Sequence, residues 1–207
     1  MNKLHLLYSA ALASTLLACS SPDSATTNAA APASGSEAAA PAAGTAPLDV
    51  STWQPTDLSK LVPELPITLN LPAGVKMEKN GNGGIDIQLS DKSLLTASFP
   101  AVSSVKEAMA TDEDYYIKND MYQDARKVVD EPHGFVYTRR MKPEQNGTTY
   151  EPESHFVYYL EGKDGAIYQL AEDRTMDGMS NAKGSDYPER RAKELYEAVK
   201  KSAKLTK

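Results

Sequence analysis

Few side chains in this 207-residue chain are suited to chemistry. It has one cysteine, Cys19, and three histidines. Cys19 closes the stretch Leu16-Leu17-Ala18-Cys19, at the end of an apolar run. With no second cysteine, no disulfide can form within the chain, and the fold must stand on its core alone. His133 falls in a turn beside Asp130 and Glu131, and His155 opens a strand beside Glu151, Glu153 and Ser154. Neither has the HExxH spacing or the nearby second histidine of a zinc site, so both read as surface or strand-end residues. No serine sits in a GxSxG elbow. A Ser-His-carboxylate triad assembles across sequence distance, so a hydrolase using His133 or His155 stays open as an alternative. Met176 and Met179 lack the histidine cluster that would help them hold a soft metal. Asp112, Glu113 and Asp114 lack the alternating ligands and glycine of a calcium loop and read as a solvated helix face. Asn80-Gly81-Asn82-Gly83-Gly84 has no GKS or GKT ending and no following helix, which makes it a hairpin loop and not a phosphate cradle. No catalytic residue, metal ligand or cofactor is expected.

The N-terminus explains the lone cysteine. Lys3 supplies a positive start, and Leu4 to Leu17 forms an apolar run of about 14 residues, short of the ~18–20 that span a bilayer as a helix. Ala18 is the small residue before a cut. Leu16, Ala18 and Cys19 together resemble the lipobox of a bacterial lipoprotein signal. The resemblance implies that residues 1–18 are a signal peptide, that the Cys19 thiol receives a diacylglyceryl group, and that the new amine is acylated, commonly with palmitate. Each buried methylene contributes about 0.8 kcal/mol, and two or more chains hold where one binds marginally. Cys19 acyl chains would thus tie the protein to a lipid bilayer. Ser20 and Ser21, in place of an aspartate after the cysteine, resemble a signal for the outer membrane, facing the periplasm or the cell surface.

Removing residues 1–18 takes away Lys3 and leaves 21 basic against 28 acidic residues, a net charge of −7. Such a chain is poorly suited to nucleic acid or to anionic lipid surfaces. Residues 19–48 are rich in Ala, Ser, Thr, Pro and Gly, with Leu48 the only large aliphatic residue. They cannot bury enough to offset chain entropy and read as a linker. Its mean reach as a coil is roughly 30 Å. Residues 49–207 form a single domain, with Trp53 pinning its entry segment to the core.

Within that domain, Asp57 to Leu61 suggests a helical turn. Strands are predicted at Ile67–Leu71, Val75–Lys79, Ile85–Leu89, Ser93–Phe99, Asp124–Val129, Phe135–Met141, His155–Leu160 and Ala166–Ala171. Pro72-Ala73-Gly74, Pro132-His133-Gly134 and Lys163-Asp164-Gly165 punctuate them as turns. Ser104 and Glu107 fit a capping box that opens a helix to Lys118. Tyr115-Tyr116, and Tyr158-Tyr159 on a later strand, are placed so that one ring of each pair is free to anchor an interface. Glu172–Ser185 reads as a long loop with room for a ligand beneath it. Asp186 and Glu189 fit the cap of a second helix, in which Ala192, Leu195, Tyr196 and Val199 share a face.

Hairpin-linked strands with two main helices make the class α+β, a mainly antiparallel sheet in an α/β/α sandwich. This element order, closed by a C-terminal helix, is similar to the PsbP-like fold across Ile67 to Ala203. That resemblance implies a non-catalytic accessory or assembly role. The expected function is therefore that of an envelope lipoprotein whose domain binds an envelope protein partner. The alternatives are a small-ligand module using the Glu172–Ser185 pocket, or a hydrolase.

Overall fold

Apolar alternation sets the framework of the domain. In the computed structural model, residues 47–145, 147–175 and 183–206 are described. The signal peptide, Cys19, nearly all of the linker, and Met176 and Met179 lie outside them. Strands β1 (Gln54–Asp57), β2 (Ile67–Leu71), β3 (Lys76–Lys79), β4 (Ile85–Gln88) and β5 (Ser93–Ser98) precede helix α1 (Val105–Tyr116). Strands β6 (Tyr122–Glu131), β7 (Gly134–Met141), β8 (Glu153–Glu161) and β9 (Ile167–Arg174) follow. Helix α2 (Glu189–Ser202) and the short β10 (Lys204–Leu205) complete the domain. Among the described residues no helix is long and apolar enough to cross a membrane.

Seven strands form one sheet in the order β3-β4-β5-β9-β8-β7-β6, and β1-β2-β10 form a second. Every pairing is antiparallel. The class is α+β, as the hairpin signals imply. The two-faced strand His155–Leu160 lies at the heart of β8, with helices on both sides. Phe156 packs edge-on to Tyr196 of α2 with ring centroids 5.9 Å apart. Val157 and Tyr159, on the other face, share a cluster with Val105 and Ala108 of α1. Leu69, Leu71, Ile85, Ile87 and Leu95 are fully buried in the larger cluster beneath α2. Each such side chain contributes roughly 1.5–3 kcal/mol relative to an exposed one.

Several local expectations hold with changed detail. Ser104 caps α1 by accepting from Glu107 N at 3.2 Å. The Glu107 carboxylate, however, reaches back to Ser103 N at 2.8 Å and Ser103 Oγ at 2.6 Å, not to the cap residue. Asp57 caps a 3-10 turn, Leu58–Lys60. The Asn80–Gly84 loop is a hairpin loop, with Asn80 Oδ1 accepting from Gly84 N at 2.8 Å and Gly83 at φ 80°. Trp53 packs partly buried against the core, and so does Leu48, whose N donates to Glu194 Oε2 at 2.8 Å.

Other expectations need correction. Asp186 does not cap α2. It closes a separate 3-10 turn (Gly184–Asp186), accepting from Lys183 N and pairing with Lys92, and Pro188 stands at the helix start. Gly184 suits that turn because a Cβ there would lie 2.5 Å from the carbonyl oxygen of Pro152. Asp112 does not lie on a solvated face. It accepts hydrogen bonds from Tyr159 Oη and Gln169 Nε2 of the sheet, and burial raises its carboxyl above the usual range. The sheet also claims residues assigned to loops: β9 runs on through Glu172, Asp173 and Arg174, and β1 and β10 build the second sheet.

Candidate functional site

Antiparallel order brings the C-terminal end of β7, the start of β8 and the end of β9 to one end of the sheet. Those three segments are polar: Arg139-Arg140, Glu153-Ser154-His155 and Glu172-Asp173-Arg174. Pairing of β8 with β9 runs from Glu161↔Ile167 to Phe156↔Glu172 and stops. Beyond it, β8 pairs only with β7, through Arg139↔Glu153, and β9 only with β5, through Ser93↔Arg174. The two strands part as a fork. The segment before α2 meets it, with Ser154 N donating to Tyr187 O at 2.9 Å.

His155 is fully buried in the fork. Its Nδ1 lies 2.8 Å from Glu172 Oε2, and its Nε2 lies 3.5 Å from Glu153 Oε2 and 3.9 Å from Asp173 Oδ1. Arg139 Nε donates to Glu153 Oε1 at 2.8 Å, and Arg174 pairs with the other oxygen of Glu153. Arg139 also approaches Asp173 at 3.6 Å. Three carboxylates thus face two guanidiniums and one imidazole. The charges balance when His155 carries its proton.

The protonation states follow from these contacts. Burial opposes the charge on His155, but Glu172, Glu153 and Asp173 outweigh it and bring the imidazole up to about 9. Burial likewise opposes the charge on Glu153, but His155, Arg139 and Arg174 hold its carboxyl down at about 2. A ring of aromatic faces closes the cluster. The Arg139 guanidinium lies 4.3 Å from the Tyr122 centroid and 5.3 Å from that of Tyr137. Arg174 lies 5.3 Å from the Tyr187 centroid, and the Tyr187 ring is 4.9 Å from His155. Tyr187 Oη donates to Lys92 O at 2.7 Å, and burial pushes its hydroxyl up to about 12.

This geometry is not that of a serine-nucleophile triad. A serine nucleophile needs the imidazole between hydroxyl and carboxylate. Here Ser93 Oγ donates to Glu172 Oε1 at 2.6 Å, so the carboxylate stands between Ser93 and His155. The other nearby hydroxyl, Ser154 Oγ, is bonded to Thr138 Oγ1 at 2.5 Å.

The structure separates the two histidines. His133 is exposed in the β6–β7 turn, and its carbonyl accepts from Tyr159 N at 2.8 Å. Tyr159 is four residues along β8 from His155, roughly 13 Å at about 3.3 Å per residue. Among the described residues no group of three or more His, Cys, Asp or Glu is arranged to hold a metal ion. His155 lies near the start of β8, as a strand-end histidine would, but it is buried in the core and not on the surface. Glu172, Asp173, Arg174 and Arg139 were missed as its partners. The signal for them was present: folding β8 onto β9 about the Lys163-Asp164-Gly165 turn carries 155 towards 173.

Of the aromatic pairs, Tyr115-Tyr116 divides as the sequence suggests. Tyr116 stacks on buried Tyr137 with centroids 4.9 Å apart and planes at 23°. Tyr115 is 60% exposed and packs edge-on against Tyr116 at 4.9 Å. Met121, 55% exposed, lies just before β6.

No family model and no curated protein matches this chain. Two solved structures resemble it, and both are Mog1 proteins. The Saccharomyces cerevisiae Ran-binding protein Mog1p has 11% identity and a TM-score of 0.45, covering 74% of this chain and 95% of its own. A point mutant of Mog1 has 10% identity and a TM-score of 0.46, covering 74% of this chain and 96% of its own. Likeness at this level carries no argument about partner or role.

Proposed function

We propose that this chain is a bacterial envelope lipoprotein, held to a bilayer by acyl chains on Cys19, whose non-catalytic α+β domain binds a protein partner at the end of α1. The observation that carries the binding reading is Tyr115: a large ring, 60% exposed, braced through Tyr116 onto the buried Tyr137. An exposed aromatic held by a second ring is the residue type that interface cores favour. It loses little side-chain freedom on binding. The anchor rests on the Leu16-Leu17-Ala18-Cys19 signal. The non-catalytic reading is supported by the fork, where His155 and the carboxylates of Glu153 and Glu172 are engaged in ion pairs and Ser93 bonds the Glu172 carboxylate, not the imidazole.

Fractionation tests the anchor. The parent chain is expected in the membrane fraction after a high-salt wash, and Cys19→Ala in the soluble fraction. A Cys19→Ala chain that stays with the membrane at high salt overturns the lipid attachment.

A further inference from the structure

Between the β4–β5 turn, the fork and the first turns of α2 lies a cavity of about 70 Å³. At roughly 10–15 Å³ per water position, that space holds a handful of non-hydrogen atoms. Leu89, Ala192 and Leu195 give it an apolar wall. Its polar lining includes Ser90, Ser93, Glu172, Asp186 and Arg191.

The charges lining the cavity are not equivalent. Glu172 is matched by His155 at 2.8 Å, and Asp186 by Lys92 at 2.8 Å. Arg191 has no such match: it is half-buried, feels Glu194 and Glu172 only through space, and makes no ion pair among the described residues. Its neighbour Arg190 differs, pairing with Glu194 at 3.0 Å one turn on. Ser90 Oγ accepts from Lys92 N and Ser93 N, at 3.3 and 3.1 Å, which leaves its own O–H to donate. The cavity therefore offers one guanidinium without a counter-ion among the described residues, one hydroxyl donor and an apolar wall.

We infer that this cavity is a binding site for a short aliphatic carboxylate, with the carboxylate on Arg191 and Ser90 and its carbons against Leu89 and Leu195. A guanidinium presents a planar fork of N–H donors matched to the two oxygens of a carboxylate. The cavity size limits the buried part to the carboxylate and two or three carbons. A free short acid and the carboxyl end of a longer molecule share this chemistry. The inference stands apart from partner binding at Tyr115.

Amide-detected NMR titration of the full chain tests it, with propionate as probe and propionamide as its neutral counterpart. Propionate is expected to shift the Arg191 Nε–H and the amides of Ser93 and Tyr187 saturably, with a dissociation constant on the order of 1 mM. Propionamide is expected to leave them unmoved. Arg191→Gln should weaken propionate binding at least tenfold, Arg191→Lys by less, and Arg190→Gln not at all. A peptide ending in a free carboxylate is compared with its C-terminal amide. If it outbinds propionate, the site receives the end of a longer molecule; if not, a free acid. Either result keeps the carboxylate assignment. Equal shifts with propionamide, unchanged affinity in a folded Arg191→Gln chain, or no saturable shift at 50 mM on the order of the highest usable concentration would overturn it.

Discussion

Deprotonating His155 should loosen the fork by a few kcal/mol. The imidazole is raised from 6.5 to about 9 by the carboxylates around it. At roughly 1.4 kcal/mol per unit, that shift corresponds to about 3 kcal/mol. A group raised on folding contributes its full stability below its unfolded value, near 6.5, and loses it as pH rises through 9. Between pH 6 and pH 10 the folded state should therefore lose about 3 kcal/mol from this residue alone. Urea denaturation reads it directly: with a slope of about 2 kcal/mol per molar, the midpoint falls by about 1.5 M. His155→Gln removes the titration while keeping a hydrogen-bonding side chain. The variant should be weaker than the parent by about 3 kcal/mol at pH 6, since an unbalanced buried charge cluster costs that much. The two curves should meet near pH 10. Lysines and tyrosines that titrate over the same range are common to both chains and cancel in the comparison. Parallel curves, with the parent and variant losing the same midpoint between pH 6 and pH 10, would refute the assignment of a proton to His155.

Two further outcomes follow from the same contacts and from the surface. Glu153, lowered from 4.5 to about 2, supplies stability that is present above pH 4.5 and lost as pH falls through 2. Glu153→Gln should cost about 3–5 kcal/mol at pH 6 by leaving Arg139 and Arg174 short of a counter-charge, measured by urea or thermal unfolding. Tyr115→Ala should leave unfolding midpoints unchanged within about 0.5 kcal/mol, as an exposed side chain does, while co-purification of the partner is lost.

The sequence exposes the sheet well where residues alternate and poorly where function or electrostatics replaces alternation. Ile67–Leu71 and Ile85–Gln88 emerge within a residue of their observed bounds because alternate side chains are buried. The ends of β8 and β9 do not, because Glu153, Glu172, Asp173 and Arg174 are charged residues in buried or half-buried positions. Single-residue reading assigns such residues to loops, whereas their partners across the fork neutralise them. β1 and β10 escape for a different reason: Gln54–Asp57 and Lys204–Leu205 are short and polar, and only their pairing with β2 makes them strands. Asp112 looked solvated because it sits between Thr111 and Glu113 in a polar run. Tyr159 and Gln169, 47 and 57 residues away, decide otherwise. Within the pair Tyr115-Tyr116, the stacking of Tyr116 on Tyr137 leaves Tyr115 as the exposed ring.

The central claim, an anchored domain that binds a protein through the end of α1, is tested most directly in living cells. A photo-cross-linking amino acid replaces Tyr115 in the chain that retains Cys19, and another replaces Lys79 on the edge strand β3 as the control. The account predicts one dominant protein adduct from position 115, weak or absent from position 79, and diminished when Cys19→Ala detaches the chain. Indistinguishable adducts from both positions, or none from position 115, would contradict it.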